Sequence, residues 1–217
     1  MEILFSKKPW HHAVIHETFP ADLYKELQDN FLSRFILSED VGDFGDSPYY
    51  SPHSPNKRKV YRYYIGDTHS AIEPYCIRLE IEGSLELKLQ KHFDEKIYPS
   101  LADSGLFSKF THEALSTSEL GNAWWHFSAT KPGSHFAKHI DTDCKVLSFI
   151  CYMMPENNVG TILYSDEAGH DIKPIEWKPN TSAIFQKGDH TWHDYYNPSP
   201  TEYRITLQFN LATAPKN

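Results

Sequence analysis

Cysteine is scarce in this sequence: Cys76, Cys144 and Cys151 make an odd number, with no CxxC spacing. That argues against a disulfide framework and against a cysteine-ligated zinc site, and it fits a reducing cytosol. Long apolar runs are missing as well, none approaching the ~20 residues that span a bilayer. The opening stretch MEILFSKKPWHH has no apolar core of signal-peptide length followed by a small-residue cleavage site. The expected location is cytoplasmic, with no membrane partner. Lys and Arg number 21 against 29 Asp and Glu, a net charge of −8, which disfavours a general nucleic-acid binder. There is no internal repeat, no low-complexity tract and no evident nucleophile–base pair. What is present is a hydrophobic content of 40% with 14% aromatic residues over 217 positions. That suffices for one globular domain with a substantial interior.

The chain changes grain near residue 120. In residues 1–120, WHHAVIHETF reads as an edge strand. Pro20-Ala21-Asp22 opens a helix with Leu23, Leu27 and Phe31 at four-residue spacing. A second helix is expected from about Ser84 to Tyr98, with Leu85, Leu89 and Phe93 on one stripe, and a short helical piece around Phe110 to Leu115. Between the first two helices lies a polar, proline-rich segment, about 38–64, read as a lid-like loop. Residues 121–217 change period. Runs at about 122–130, 134–140, 146–153, 160–164, 171–176, 182–186, 191–196 and 203–211 read as short strands separated by Gly, Pro, Asn and Asp. Eight short strands in ~90 residues suggest a double-sheet jelly roll or small barrel. The expected fold is mainly β, with this core packed against the N-terminal helices as one structural domain.

"HFAKHIDTDCKVLSFICYM" places His139 and Asp141 two apart at a strand end, where i and i+2 share a face. Roughly one His-x-Asp arises by chance at this composition, and His92-Phe93-Asp94 is a second, within the expected helix. Two imidazoles and one carboxylate suit a divalent first-row metal and leave coordination positions open. The missing imidazole could be His170, His190 or His193. His193 is preferred because a ligand on a strand is held more rigidly than one in a turn. On the last strand, Arg204, Thr206, Gln208 and Asn210 alternate with Ile205, Leu207, Phe209 and Leu211. The polar face would be solvated in an ordinary sandwich. Alternatively the apolar face packs under the helices, and Arg204 and Thr206 point into the barrel. A buried arginine needs an anionic partner, and no carboxylate stands out on the neighbouring strands. A bound dicarboxylate would fill that role.

In order and spacing, His139-x-Asp141, then His193, then Arg204-x-Thr206 resemble the iron(II)/2-oxoglutarate dioxygenase superfamily. Within it, the likeness is to the prolyl-4-hydroxylase-like branch and its small bacterial and phage members. "KPGSHFAKHID" is similar to that branch's Pro-Gly turn before the metal strand. "SFICYMMPENNVGTILY" is similar to its tyrosine-bearing strand, glycine turn and aliphatic strand, and "KPWHHAVIHETFPADLYKEL" resembles the opening strand and helix of the phage members. The likeness covers about 121–211 and, more weakly, the first thirty residues. It implies a double-stranded β-helix, with Fe(II) held by His139, Asp141 and His193. Arg204 and Thr206 would hold the distal carboxylate of 2-oxoglutarate, and Tyr152 would hydrogen-bond this cosubstrate. O2 would be consumed, succinate and CO2 released, and a C–H bond hydroxylated, with no catalytic group required beyond the metal ligands. An aspartate at 141 favours hydroxylation over halogenation. The sequence departs from the branch at Lys131, where several members carry tyrosine.

The substrate is expected to be a prolyl or other residue of a peptide or protein. A free amino acid or small metabolite is the alternative, and a metal hydrolase or binding module on the same jelly roll is a third reading. Tyr63 and Arg62, in the tyrosine- and base-rich segment 47–64, and Trp192, beside the third imidazole, are the candidate substrate contacts.

Overall fold

In the computed structural model of the chain, the residues described are 1–39, 60–65, 77–79, 83–107, 122–143 and 145–212. The expected helix near 110–115, residues 40–59 of the expected loop, and Cys76 and Cys144 lie outside them.

All eight strand segments expected after residue 121 form: β5 (Asn122–Thr130), β6 (His135–His139), β7 (Lys145–Met154), β8 (Ile162–Tyr164), β9 (Lys173–Pro174), β10 (Ser182–Gln186), β11 (Trp192–Tyr196) and β12 (Arg204–Ala212). Before them come β1 (Glu2–Ser6), β2 (His12–His16), β3 (Val60–Ile65) and β4 (Ile77–Leu79). One sheet has eight strands in the order β1-β2-β10-β7-β12-β5-β3-β4, the other four in the order β6-β11-β8-β9. From β5 to β12 the chain crosses from sheet to sheet at every step except β8 to β9. That weave is a jelly roll. Between β5 and β6 the chain turns at Gly133, whose φ of 67° lies in the region that favours glycine.

Strand alternation explains why the large sheet is buried on both faces. On β12, Ile205, Leu207, Phe209 and Leu211 are all buried and join one apolar cluster with Leu23, Leu27 and Phe31. These last three lie on helix α1 (Ala21–Glu39). Leu85 and Leu89 of α2 (Gly83–His92) complete the cover, and Phe93, beyond it, reaches within 4.9 Å of Phe209 and 6.2 Å of Trp125, centroid to centroid. Helix α1 starts where proline permits: the Pro20 carbonyl accepts from the Tyr24 N–H (2.8 Å), and the Tyr24 hydroxyl donates to the Met153 carbonyl (2.8 Å), tying helix to sheet. The opposite face of the sheet meets the small sheet around a second cluster that includes Trp10, Ile150, Tyr152, Leu163, Trp177 and Phe185. Gly160 abuts this region so closely that a Cβ there would collide with the Ile175 carbonyl and stand 3.1 Å from the Tyr152 hydroxyl.

Three expectations are corrected. The strand at His12–His16 is not an edge: β1 pairs outside it, from Glu2↔His16 to Ser6↔His12. Consecutive Ile3-Leu4-Phe5 does not alternate, and Leu4 and Phe5 remain exposed, so the period-2 signal was absent. The second helical region does not end at Tyr98. A π-helical segment (Phe93–Ile97) leads into α3 (Tyr98–Asp103). The Tyr98 N–H bonds to the Phe93 carbonyl, and Pro99 falls in the first turn of the new helix, where its missing N–H costs little. Finally, the segment read as a loop over 38–64 ends in a strand: β3 pairs antiparallel with β5, from Val60↔Thr130 to Ile65↔Trp125. No helix of the described residues is long and apolar enough to cross a membrane.

The Phe93→Ala variant is expected to lose about 3–5 kcal/mol of unfolding free energy, and Gly160→Ala about 1–3 kcal/mol from overpacking. Urea denaturation monitored by tryptophan fluorescence checks both.

Candidate active site

His139 ends β6, Asp141 lies two residues beyond, and His193 stands directly across from His139 on β11. One ligand-capable atom from each of the three lies within 4.8 Å of the others. The ring nitrogens are sorted by local backbone bonds. His139 Nδ1 is 3.0 Å from the Ala137 carbonyl and His193 Nδ1 is 2.9 Å from the Thr191 carbonyl. A carbonyl only accepts, so each Nδ1 carries the proton and each Nε2 offers a lone pair. Burial lowers the pKa of His139 to about 2, assisted by the neighbouring His193. Burial likewise lowers that of His193. Both rings are neutral at physiological pH, as metal ligation requires. Burial would raise the Asp141 carboxyl, but the Lys145 ammonium and the Ser148 hydroxyl hold it below its ordinary value. Two neutral imidazoles and one carboxylate, converging from separate elements, fit a divalent first-row cation.

Of the other downstream imidazoles, His170 is exposed and bound to Asp166 (2.7 Å), and His190 is exposed in the turn before β11. The second His-x-Asp pair is structural: His92 Nε2 lies 2.7 Å from the Thr18 carbonyl, and Asp94 accepts from Gln90.

Arg204 is 1% exposed. Its Nε donates to the Val159 carbonyl (3.1 Å), while Nη2 is buried with no hydrogen-bond partner among the described residues. The guanidinium is enclosed by aromatic faces, its Cζ 4.3 Å from the ring centroid of Tyr195, 4.9 Å from Trp177 and 5.8 Å from Tyr152. Burial pulls the pKa of Arg204 down, yet no side chain can deprotonate a guanidinium in practice, so a whole positive charge sits here. Cation–π contact offsets part of its desolvation, and an anion is still wanted. Buried hydroxyl oxygens without a hydrogen-bond partner among the described residues include those of Thr130, which pairs directly across from Arg204, and of Thr161. The Thr161 N–H donates to the Tyr152 hydroxyl (2.9 Å), leaving the Tyr152 proton to be donated elsewhere. Thr206 is fully buried and accepts from Gln208 Nε2 (3.2 Å), so its hydroxyl proton is also available.

Tyr195 links the two halves of the site. It is two residues from His193, stacks on Phe136 at 5.3 Å, and Phe136 in turn meets His139 edge-on at 4.1 Å. Trp192 pairs with Tyr164 across β11–β8 and, by alternation, points to the opposite side of the sheet from His193. Arg62 and Tyr63 occupy β3 beside Ser128 and Phe127 of β5; their side chains lie outside the described residues. His126 is buried, its Nδ1 3.4 Å from Asn210. Lys145, Ser148, Trp177, Thr130 and Thr161 escaped the sequence reading. Only Ser148 had left a sign, standing four residues before Tyr152 on the same face of β7.

No protein-family model matches the chain, and no curated protein matches it. Solved structures do. A prolyl-4-hydroxylase from Pseudomonas putida aligns at 15% identity and TM-score 0.57, over 94% of this chain and 92% of that one. A prolyl hydroxylase from Trichoplax adhaerens, in complex with a hypoxia inducible factor oxygen degradation domain peptide fragment, aligns at 15% identity and TM-score 0.58, over 93% and 83%. An oxidoreductase of the 2OG-Fe(II) oxygenase family from Burkholderia pseudomallei aligns at 11% identity and TM-score 0.53, over 93% and 84%.

Two measurements probe the triad. Cobalt(II) titration of the metal-free protein should give visible ligand-field bands that His193→Ala abolishes. Metal-free protein should also lose stability as pH falls. A histidine held neutral when folded but titrating near 6.5 when unfolded leaves the unfolded state with more bound protons between pH 6.5 and about 2. The loss approaches about 1.4 kcal/mol per pH unit for each such histidine, and urea midpoints at pH 7.5 and 5.5 in EDTA would register it. Across nearly its whole length, the chain has the jelly-roll fold of these prolyl hydroxylase and 2OG-Fe(II) oxygenase structures.

Proposed function

We propose that the chain is an Fe(II)- and 2-oxoglutarate-dependent dioxygenase that hydroxylates a C–H bond, of a prolyl or other residue in a peptide or protein. The observation that carries the reading is Arg204: a fully buried cation with no anionic partner and one nitrogen unpaired among the described residues, two aromatic rings from a candidate three-ligand metal set. A jelly-roll hydrolase has no use for such an anchor, whereas a dicarboxylate cosubstrate does.

His139, Asp141 and His193 would hold the iron on one face. Bound iron with its 2-oxo acid supplies the oxidative chemistry, in which O2 is consumed, succinate and CO2 leave, and a substrate carbon gains a hydroxyl. The chain's own groups do the rest. The Arg204 Nη atoms, Nε being committed to Val159, take the distal carboxylate. The Thr206 and Tyr152 hydroxyls add donors to it. Trp177 and Tyr195 screen the guanidinium from water, which strengthens its grip on an anion. A peptide substrate is favoured because the Trichoplax prolyl hydroxylase, over the same fold, is seen with a bound peptide fragment.

Anaerobic protein with Fe(II) and 2-oxoglutarate should show the weak visible charge-transfer band of a chelated 2-oxo acid; its absence at saturating iron would remove the oxygenase reading. Arg204→Ala should weaken 2-oxoglutarate binding on the order of 100-fold, the loss of a buried, hydrogen-bonded charge pair, and leave iron affinity nearly intact. Equal loss of both would make Arg204 structural. Succinate release is then to be measured against proline-rich peptides, free amino acids and oligonucleotides, and turnover by free amino acids alone would exclude the peptide substrate.

A further inference from the structure

Both oxygens of Asp141 are already engaged. Lys145 Nζ donates to Oδ1 at 2.9 Å and Ser148 Oγ to Oδ2 at 2.7 Å. The chain makes the first contact by folding back on itself: the Lys145 N–H bonds to the Thr142 carbonyl (2.9 Å), which returns residue 145 to the carboxylate four positions earlier. This is no solvated surface pair, for the Asp141 side chain is 7% exposed and that of Lys145 22%. A carboxylate has about four lone-pair sites, so neither contact blocks a metal. The ammonium acts instead through its charge. Of the three ligands Asp141 alone is anionic, the imidazoles being neutral.

We propose that Lys145 is the resident counter-cation of Asp141: it cancels the triad's one negative charge, so that a divalent cation alone binds weakly and tight binding waits for the dianionic 2-oxo acid. The idea rests on the function proposed above and adds an order of assembly to it. A 2+ ion entering beside Lys145 meets repulsion from the ammonium at close range in a weakly hydrated site. A 2+ ion together with a 2− cosubstrate presents no net charge to it. Lys145 therefore disfavours the metal-only state and leaves the combined state almost unaffected. By linkage, it raises the affinity of the metal-loaded protein for the diacid by the same factor by which it lowers that for the metal.

The test is calorimetric titration of Mn(II) into the metal-free full chain, anaerobically, with and without saturating 2-oxoglutarate. It compares the wild type with Lys145→Gln, which keeps a donor to Asp141 and removes the charge, and with Lys145→Arg, which keeps the charge. The glutamine variant should bind Mn(II) alone about tenfold more tightly and 2-oxoglutarate, once Mn(II) is bound, about tenfold more weakly. Its apparent Mn(II) affinity at saturating 2-oxoglutarate should match the wild type, and the arginine variant should follow the wild type throughout. Unchanged or weaker Mn(II) binding by Lys145→Gln overturns the proposal, as does an arginine variant that behaves like the glutamine one. If Lys145→Gln does not fold, Lys145→Met, which preserves an unbranched apolar stem, provides the same comparison. Wild-type Mn(II) binding indifferent to 2-oxoglutarate would instead count against the dioxygenase reading itself, a separate result.

Discussion

Strand β12 is buried on both faces, and the architecture follows from how differently those faces are satisfied. Its apolar side chains, Ile205 to Leu211, need a hydrophobic cover, which α1, α2 and Phe93 provide. Of its polar side chains, Arg204, Thr206 and Asn210 are buried as well and must find partners between the sheets. Most do. The Arg204 guanidinium is the exception, stabilised by one carbonyl and three aromatic rings but, among the described residues, by no carboxylate. A buried charge in that condition supports the anion-binding role proposed for it.

The candidate metal triad and the guanidinium are held together by ordinary sheet geometry. His139 and His193 face each other across one strand pair, and Tyr195, next on the same face as His193, reaches the guanidinium. Asn197 locks the connection that follows, donating to the carbonyls of Thr130 and Glu202 and accepting from Asn158. The site thus rests on strands and on a saturated turn, a rigid support for groups that must hold fixed positions.

The charges in the pocket oppose and complete one another. Asp141 faces Lys145, the imidazoles carry no charge, and Arg204 waits at the other end. Without ligands the described site is cationic overall; a divalent metal alone makes it more so. A metal together with a dicarboxylate would leave it no worse off than before. In the function proposed above, the two ligands would be electrostatically coupled even though different residues would hold them.

Much of this was legible in the linear chain. Alternation along β12, the four-residue stripes of the two helices and the turn residues between strands are local signals, each set by chain stereochemistry within a few positions. They placed eight strands, two helices, and the ordered positions 139, 141, 193 and 204. Edge strand β1 was missed, and the run through Pro99 misread, because the first has no period and the second depends on a π-helical turn that no local preference announces. The partners of the site residues were beyond reach for a different reason. Lys145 and Ser148 on Asp141, and Trp177 and Tyr195 around Arg204, are contacts between side chains brought together by sheet pairing and loop return. Which residues could do chemistry was written in their types and spacing. Which of them share a dry pocket, and with what charge balance, was decided only when the two sheets closed on each other.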